Sequence, residues 1–283
     1  MNSDDRADIL QACGIVCKRL GAVEPVAVFE PHRMTLLAVG ERAAAGFLTL
    51  PVTVVTFDRH RDALPPVNGP DPLLRYRQGN GTLAELAHLV SGHVSGRNDD
   101  WILSGMELGL IGDTVQFSSS WTDSTPETPT VAYRDGSGSD HMLYHLGMPA
   151  DELAFKGALA DRDHSTVSHG LWGVLGWDPA HPDRVDPRRN MVLDFDLDVF
   201  SVPWDTYAVP FTDSVFAGEF YRPVQTPACP GLLPITFMKA LIDRASLVTV
   251  ARESEHCGGV DHADLIMHCV ERWLFGGGGE AAL

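Results

Sequence analysis

No apolar run in this chain reaches the ~18–20 residues needed to cross a bilayer, so a membrane-spanning role is not expected. Basic residues are scarce. The 283 residues hold 21 Lys and Arg against 38 Asp and Glu, a formal net charge of −17. Nucleic-acid binding is excluded on this ground, because neutralising phosphates takes clustered Lys and Arg. Cysteine is sparse and odd in number, at positions 13, 17, 229, 257 and 269, and no Cys-x-x-Cys pair is present to build a structural zinc site. Such usage fits reduced thiols rather than a disulfide framework. The opening residues Met1-Asn2-Ser3-Asp4-Asp5 lack the basic and apolar regions of a signal peptide, so a cytoplasmic location is expected.

What is abundant is core material. Hydrophobic residues make up 44% of the chain, too many for a mostly disordered protein. Continuous apolar runs at 26–30, 52–57, 191–195 and 247–251 read as strands buried on both faces, with a further strand at 114–118. Between them, 34–45, 100–110, 234–245 and 260–274 read as helices. Residues 5–20 also carry a helical stripe of Ile9, Leu10, Cys13, Val16, Cys17 and Leu20, which puts Cys13 and Cys17 on one buried face. Strands alternating with helices imply βαβ units, hence an α/β fold with one doubly wound, parallel sheet. One domain over 1–275 is expected, followed by a flexible Gly-rich tail at 276–283. The stretches 65–96 and 119–187 are rich in Gly, Pro, Ser, Asp and His and read as long functional loops.

Two clusters follow predicted buried strands: Asp58-Arg59-His60-Arg61-Asp62 and Asp194-Phe195-Asp196-Leu197-Asp198. In an extended segment alternate residues share a side, so Asp58, His60 and Asp62 would project together, as would Asp196 and Asp198. Ligands of open parallel sheets bind beyond the carboxyl ends of the strands, where both clusters fall. Either alone could be a solvated turn or a polar strand end. Together they would place mutually repelling carboxylates at one rim, a costly arrangement without a cation. Carboxylates mixed with imidazole suit a first-row dication, Mn²⁺ ahead of Zn²⁺. Glu30-Pro31-His32 follows the preceding strand and brings His32 to the same rim.

The succession of His32, Asp58-x-His60-x-Asp62 and Asp196-x-Asp198 resembles the arginase/ureohydrolase superfamily. The middle motif matches that family's Asp-Ala-His-x-Asp. The first His lies in Phe29-Glu30-Pro31-His32-Arg33 instead of Gly-Gly-Asp/Asn-His-Ser, and Ser201 stands where the third motif usually has a last Asp. These departures look more like the divergent branch that includes peptide arginases, which convert arginine residues of ribosomal precursor peptides to ornithine.

The resemblance implies a three-layer α/β/α fold and two Mn²⁺ per chain. It assigns His32, Asp58, Asp62 and Asp196 to one ion and Asp58, His60, Asp196 and Asp198 to the other. It implies that Asp62 orients the attacking hydroxide and passes its proton to the leaving amine, and that a late-strand Glu holds the substrate guanidinium. Glu253 is the first choice for this role and Glu255 the second. Asn98 and Asp99 are candidates for contact with the substrate backbone, although with Asp100 they could equally cap the following helix. His88, His93, His141, His145, His164 and His169 are candidate proton shuttles among which the sequence does not choose. The implied partner is an arginine-containing precursor peptide, and whether the chain forms a homo-oligomer is left open. Two other readings remain: an amidinohydrolase or one-zinc deacetylase acting on a small molecule, and a metal-stabilised protein that binds basic peptides without turnover.

Overall fold

The computed structural model describes residues 3–118, 130–147, 190–204, 207–220, 224–225, 230–232 and 234–276. Most of the 119–187 loop, Cys229, His164, His169 and all but Gly276 of the expected tail lie outside the described residues.

The chain opens with α1 (Ser3–Ala12), β1 (Val16–Leu20) and β2 (Val23–Phe29), then α2 (Thr35–Ala44) and β3 (Val52–Phe57). Next come α3 (Asp71–Gly79), α4 (Leu83–Gly92), α5 (Trp101–Glu107), β4 (Ile111–Ser118), β5 (Thr130–Arg134), β6 (Asp140–Gly147) and β7 (Met191–Asp196). Short strands β8 (Ser201–Trp204) and β9 (Tyr207–Pro210) form one hairpin, and β10 (Val224–Gln225) and β11 (Pro230–Leu232) form another, with α6 (Asp213–Phe220) between the two. The described chain closes with α7 (Pro234–Ile242), β12 (Leu247–Ala251) and α8 (Val260–Val270), which runs on as a π-helical turn over Glu271–Phe275.

Eight strands make one sheet in the order β1-β2-β12-β7-β3-β4-β6-β5. The six inner strands are parallel, and β1 and β5 join the two edges antiparallel. Residues from α1 to α5 pack with Val52, Val54 and Val192 in one core, while α6, α7 and α8 pack with Val55, Phe57, Phe195 and Val250 in another. Successive strand residues face opposite ways, so a strand apolar at every position must be covered on both faces. The fold is thus α/β with helices on both sides of a mostly parallel sheet.

Two rows of residues run across this sheet just below its carboxyl rim. Phe117, Phe57 and Phe195 lie in register on adjacent strands, with ring centroids 4.8 and 5.3 Å apart. One step back, on the opposite face, Gln116, Thr56, Asp194 and Thr249 are in register. Burying each aromatic ring is worth roughly 1.5–3 kcal/mol. That holds the strands in one register against the repulsion of the carboxylates at their ends.

The expected helix over 5–20 is wrong in its second half. Helix α1 stops at Ala12, Gly14 adopts φ +73°, and residues 16–20 form the edge strand β1. A left-handed glycine ends a helix by taking up its last free carbonyls, and Gly14 donates to Gln11 O. Cys17 is consequently exposed and Cys13 half-buried, rather than both lying in the core. The segment 65–96 is not irregular throughout, because it holds α3 and α4. Helix α4 starts with a capping box, Thr82 and Glu85 satisfying each other's backbone N–H groups, an arrangement readable in Thr82-x-x-Glu85.

Candidate metal centre

Four adjacent strands, β2, β12, β7 and β3, end side by side, and the residues just past each end converge. Phe57 pairs with Phe195, so the next residues, Asp58 and Asp196, stand level. Asp196 is also level with Ala251, two residues before Glu253, and Ala251 with Phe29, three before His32. All these side chains fall on the α1–α5 side of the sheet, the side Asp194 and Thr56 face.

The local backbone differs from the extended segments expected from the sequence. Residue 58 leaves the strand and the chain bends, ending at Asp62 with φ +46°. After Asp196 the chain enters a 3-10 turn over Leu197–Phe200, and Asp198 N donates to Asp196 Oδ1 at 3.1 Å. The acidic residues meet through these turns and not through strand alternation. Four non-glycine residues among those described have positive φ, and three of them, Asp62, Asn98 and Glu253, belong to this site. Such conformations cost on the order of 1–3 kcal/mol each and gather where function demands them.

Three overlapping groups result: Asp58, His60, Asp196 and Asp198; His32, Asp58 and Asp62; and His32, Asp196 and Glu253. In each, one ligand-type atom per residue lies within 4.8 Å of the others. His32 Nδ1 stands 3.0 Å from Asp62 Oδ2, 3.3 Å from Asp196 Oδ2 and 3.7 Å from Asp58 Oδ2. His60 Nδ1 is 2.9 Å from Asp198 Oδ2. His32, Asp58, Asp196 and Asp198 are fully buried, and His32 Nδ1 and Oδ2 of each of these three aspartates lack a hydrogen-bond partner. Orphaned atoms of buried ligand-type residues facing one another are what a cation would satisfy. The residues fit a metal, and Asp58 and Asp196 each sit where two groups overlap.

The surrounding side chains fix these atoms. Asp194, buried in the polar row, accepts four hydrogen bonds: from His32 Nε2 at 2.6 Å, Thr56 Oγ1 at 2.8 Å, Thr249 Oγ1 at 2.6 Å and Thr35 Oγ1 at 3.1 Å. Four donors fill a carboxylate's lone pairs. Because Asp194 only accepts, a neutral His32 carries its proton on Nε2 and turns the Nδ1 lone pair toward Asp58, Asp62 and Asp196. This is the carboxylate–histidine pairing that orients metal ligands. Trp101 Nε1 donates to Asp62 Oδ2 at 2.9 Å. Arg59 lies 3.5 Å from Asp198 Oδ2 and donates to Ser201 Oγ at 3.2 Å, and Ser201 Oγ donates to Asp198 O at 2.7 Å. Ser201 thus buttresses Asp198.

Charge crowding shows in the protonation of the metal-free protein. Burial, then Asp62 and Asp196, pushes Asp58 well up. Burial and Asp198 raise Asp196 to about 7, and burial and Asp196 raise Glu253 to about 8. Burial alone would depress His32, but Asp194 and the neighbouring carboxylates hold it well above its ordinary value. Burial would likewise raise Asp194 and Asp198, yet His32 keeps the first below the usual range and His60 the second. Protons therefore occupy the places that dications would take.

Beside the cluster opens a cleft of about 330 Å³ lined by His60, Arg61, Asp62, Leu64, Arg97, Asp99, Glu253 and His256. Glu253 Oε1 accepts from His32 N at 3.1 Å and from Asn98 Nδ2. Its Oε2 is left toward His256, 3.6 Å away. Arg33 Nη1 donates to Asn98 Oδ1 at 3.0 Å, which sets the amide's orientation.

No protein-family model and no curated protein matches this sequence.

The structure brings together His32, Asp58, His60, Asp62, Asp196, Asp198 and Glu253, with Asp99 on the cleft wall and Asn98 behind Glu253. It leaves Glu255 exposed, off that wall. Asp100 makes no side-chain cap for α5 and instead ties two loops through Ser95 N and Val67 N. Sequence reasoning missed Asp194 as a positioning residue, Trp101, Arg33 and His256. A signal for the first existed, since Thr56 and Thr249 are hydroxyls inside otherwise apolar strands and need a buried acceptor.

Proposed function

We propose that the chain is a dinuclear, arginase-like metallohydrolase that converts arginine residues of a peptide to ornithine and releases urea. The observation that carries this reading is the overlap of the three ligand groups, two of which share Asp58 and two Asp196, with Glu253 reaching from one of them to the wall of an open cleft. His32, Asp58, Asp62 and Asp196 would hold one ion and Asp58, His60, Asp196 and Asp198 the other. Mn²⁺ suits a set dominated by carboxylate oxygen. Two such ions would supply a hydroxide nucleophile at neutral pH and polarise the reacting centre.

The protein's own groups account for the rest. A guanidinium is planar and stays protonated, so it needs an anionic partner. Glu253 Oε2 supplies it, while His32 N and Asn98 hold Oε1. Asp62, fixed by Trp101, receives a proton at its carboxylate and returns it to the departing amine. The guanidinium carbon gains the water oxygen and loses its bond to the side-chain nitrogen, giving urea and a primary amine. An open cleft with exposed walls leaves room for the chain on either side of the target residue, which supports a peptide over a free amino acid.

The test is to incubate Mn²⁺-loaded protein with free arginine and with arginine-containing peptides, then measure urea and peptide mass. Urea with a matching loss of the amidine unit from the peptide is expected. Efficient turnover of free arginine with none of the peptides would overturn the substrate assignment.

A further inference from the structure

The two sides of the metal centre differ in charge. One side groups His32 with Asp58 and Asp62, the other His60 with Asp58, Asp196 and Asp198. Among the described residues an arginine reaches only the second. Arg59 Nε lies 3.5 Å from Asp198 Oδ2, the oxygen that also faces His60 Nδ1 at 2.9 Å. No Lys or Arg among the described residues pairs with Asp58, Asp62 or Asp196, whose ion-pair neighbour is His32.

Arg59 is fixed in this place. Its backbone N–H donates to Asp198 Oδ1 at 3.3 Å, its Nη1 to Ser201 Oγ at 3.2 Å and its Nη2 to His256 O at 3.5 Å. The side chain is only 11% exposed. Ser201 Oγ and His256 O are neutral, so the charge of Arg59 bears on Asp198. A guanidinium keeps its proton in a protein, which makes that charge permanent. Asp198 Oδ2 is still one of the orphaned buried atoms, so Arg59 leaves it open to an ion.

We propose that Arg59 makes the two ion positions fill in order, the His32 position tightly and the His60–Asp198 position more weakly. This rests on the dinuclear reading above, which gives each position one imidazole and three carboxylates. Ligand type therefore does not separate them, and the mutual repulsion of two ions is the same whichever enters first. Arg59 breaks the tie. Ligands are deprotonated when they bind metal, so Asp58, Asp62, Asp196 and Asp198 carry four negative charges. One dication and Arg59 leave a single negative charge, and a second dication turns the balance positive. Without Arg59 the second dication would meet two negative charges and bring the balance to zero. Affinity follows the charge of the ligand set. A unit charge ~5 Å from a dication weakens binding about tenfold even at water's dielectric, and by more where water is excluded. Arg59 should thus separate the two Kd values by about ten- to a hundredfold. Over that range of Mn²⁺ the chain carries one ion, so completion of the pair is governed by metal supply. Mn²⁺ well above the weaker Kd fills both positions.

The experiment titrates Mn²⁺ into the metal-free full chain, without substrate, by calorimetry. Electron paramagnetic resonance of the same samples tells an isolated Mn²⁺ from a coupled pair. Wild type should show two steps, with the isolated-ion spectrum at one ion per chain and the pair's spectrum only beyond it. His60→Gln should abolish the weak step and keep the tight one. Arg59→Met and Arg59→Gln remove the charge. Each should tighten the second step about ten- to a hundredfold and leave the first within about threefold. Arg59→Lys keeps the charge and should keep the gap. A merely structural Arg59 would act in the opposite direction, because losing its bonds to Ser201 and His256 would loosen Asp198 and weaken the second step, in Arg59→Lys as well. If Arg59→Met does not fold, Arg59→Gln, which keeps a donor for Ser201, decides.

A single step for both ions in wild type, a tight step lost in His60→Gln, or a second step that the charge-free variants leave unchanged or weakened would overturn the inference. The two claims fail separately. Two bound ions whose Kd values ignore Arg59 would sink the inference alone. One ion or none, in wild type and in the charge-free variants alike, would sink the dinuclear reading. No substrate enters the titration, so the peptide assignment is tested elsewhere.

Discussion

Replacing Asp194 with Asn tests how the site is held, since Asp194 touches none of the three ligand groups directly except through His32. Its four donors are His32 Nε2 and the hydroxyls of Thr35, Thr56 and Thr249. Asn keeps the volume but offers one acceptor oxygen and one NH₂. The hydroxyls can rotate to accept from that NH₂, but the His32 N–H cannot. The amide oxygen therefore stays on His32 Nε2 and the ring keeps its tautomer, but a neutral amide no longer raises the basicity of Nδ1, the atom that faces Asp62 at 3.0 Å and Asp196 at 3.3 Å. Loss of such a buttressing carboxylate costs about 10–100-fold in metal affinity, or roughly 1.4–2.7 kcal/mol. The metal-free fold should also weaken by about 3 kcal/mol, because charge-assisted buried bonds are lost. Mn²⁺ titration by calorimetry reads the first effect and denaturant unfolding the second. Thr249→Val, which removes a single neutral donor, should show a smaller loss of affinity. Wild-type Mn²⁺ affinity in Asp194→Asn, with the fold intact, would refute the reasoning.

The metal-free protein should lose thermal stability as pH rises from about 5 to about 8. Asp196 and Glu253 titrate near 7 and 8 when folded, and Asp58 is raised as well, so over this range the folded chain keeps protons the unfolded chain has released. His32, also raised, acts in the same direction, because its contribution is full at low pH and disappears through its folded pKa. The lowered Asp194 and Asp198 contribute a constant amount above pH 5. A fall of roughly 5–10 °C is expected by calorimetry. Saturating Mn²⁺ should flatten this slope, and a flat metal-free profile would contradict the charge crowding. Glu253→Gln should lower kcat/KM for arginine peptides by about two to four orders of magnitude, since breaking a buried charge pair costs roughly 3–5 kcal/mol. Bound Mn²⁺ per chain should be unchanged, and unimpaired turnover would remove Glu253 from its role.

Much of the sheet is legible because its central strands β3, β7 and β12 are mostly apolar on both faces, and the ends of β3 and β7 announce the acidic clusters. Register is not legible in the same way. Nothing in the sequence says that β12 and β7 lie between β2 and β3, which is what sets Asp58 level with Asp196 and brings Glu253 beside His32. The helical stripe through Val16 and Leu20 misled because residues four apart share a face in a strand as well as in a helix, and the decisive residue was Gly14. Asp194 shared an alternating run with Asp196 and Asp198. It is distinguished from them only by depth in the strand, where threonines of three other elements reach it.

The central claim is that this cluster holds two metal ions, and metal stoichiometry tests it most directly. Protein equilibrated with Mn²⁺, freed of excess and measured by elemental analysis should carry two ions per chain. Asp58→Asn and Asp196→Asn should each lose them while raising the stability of the metal-free fold as pH rises, since each removes a carboxylate that the crowded site forces to hold a proton. Wild-type protein that retains no dication after this treatment, or variants that keep both ions, would contradict the account.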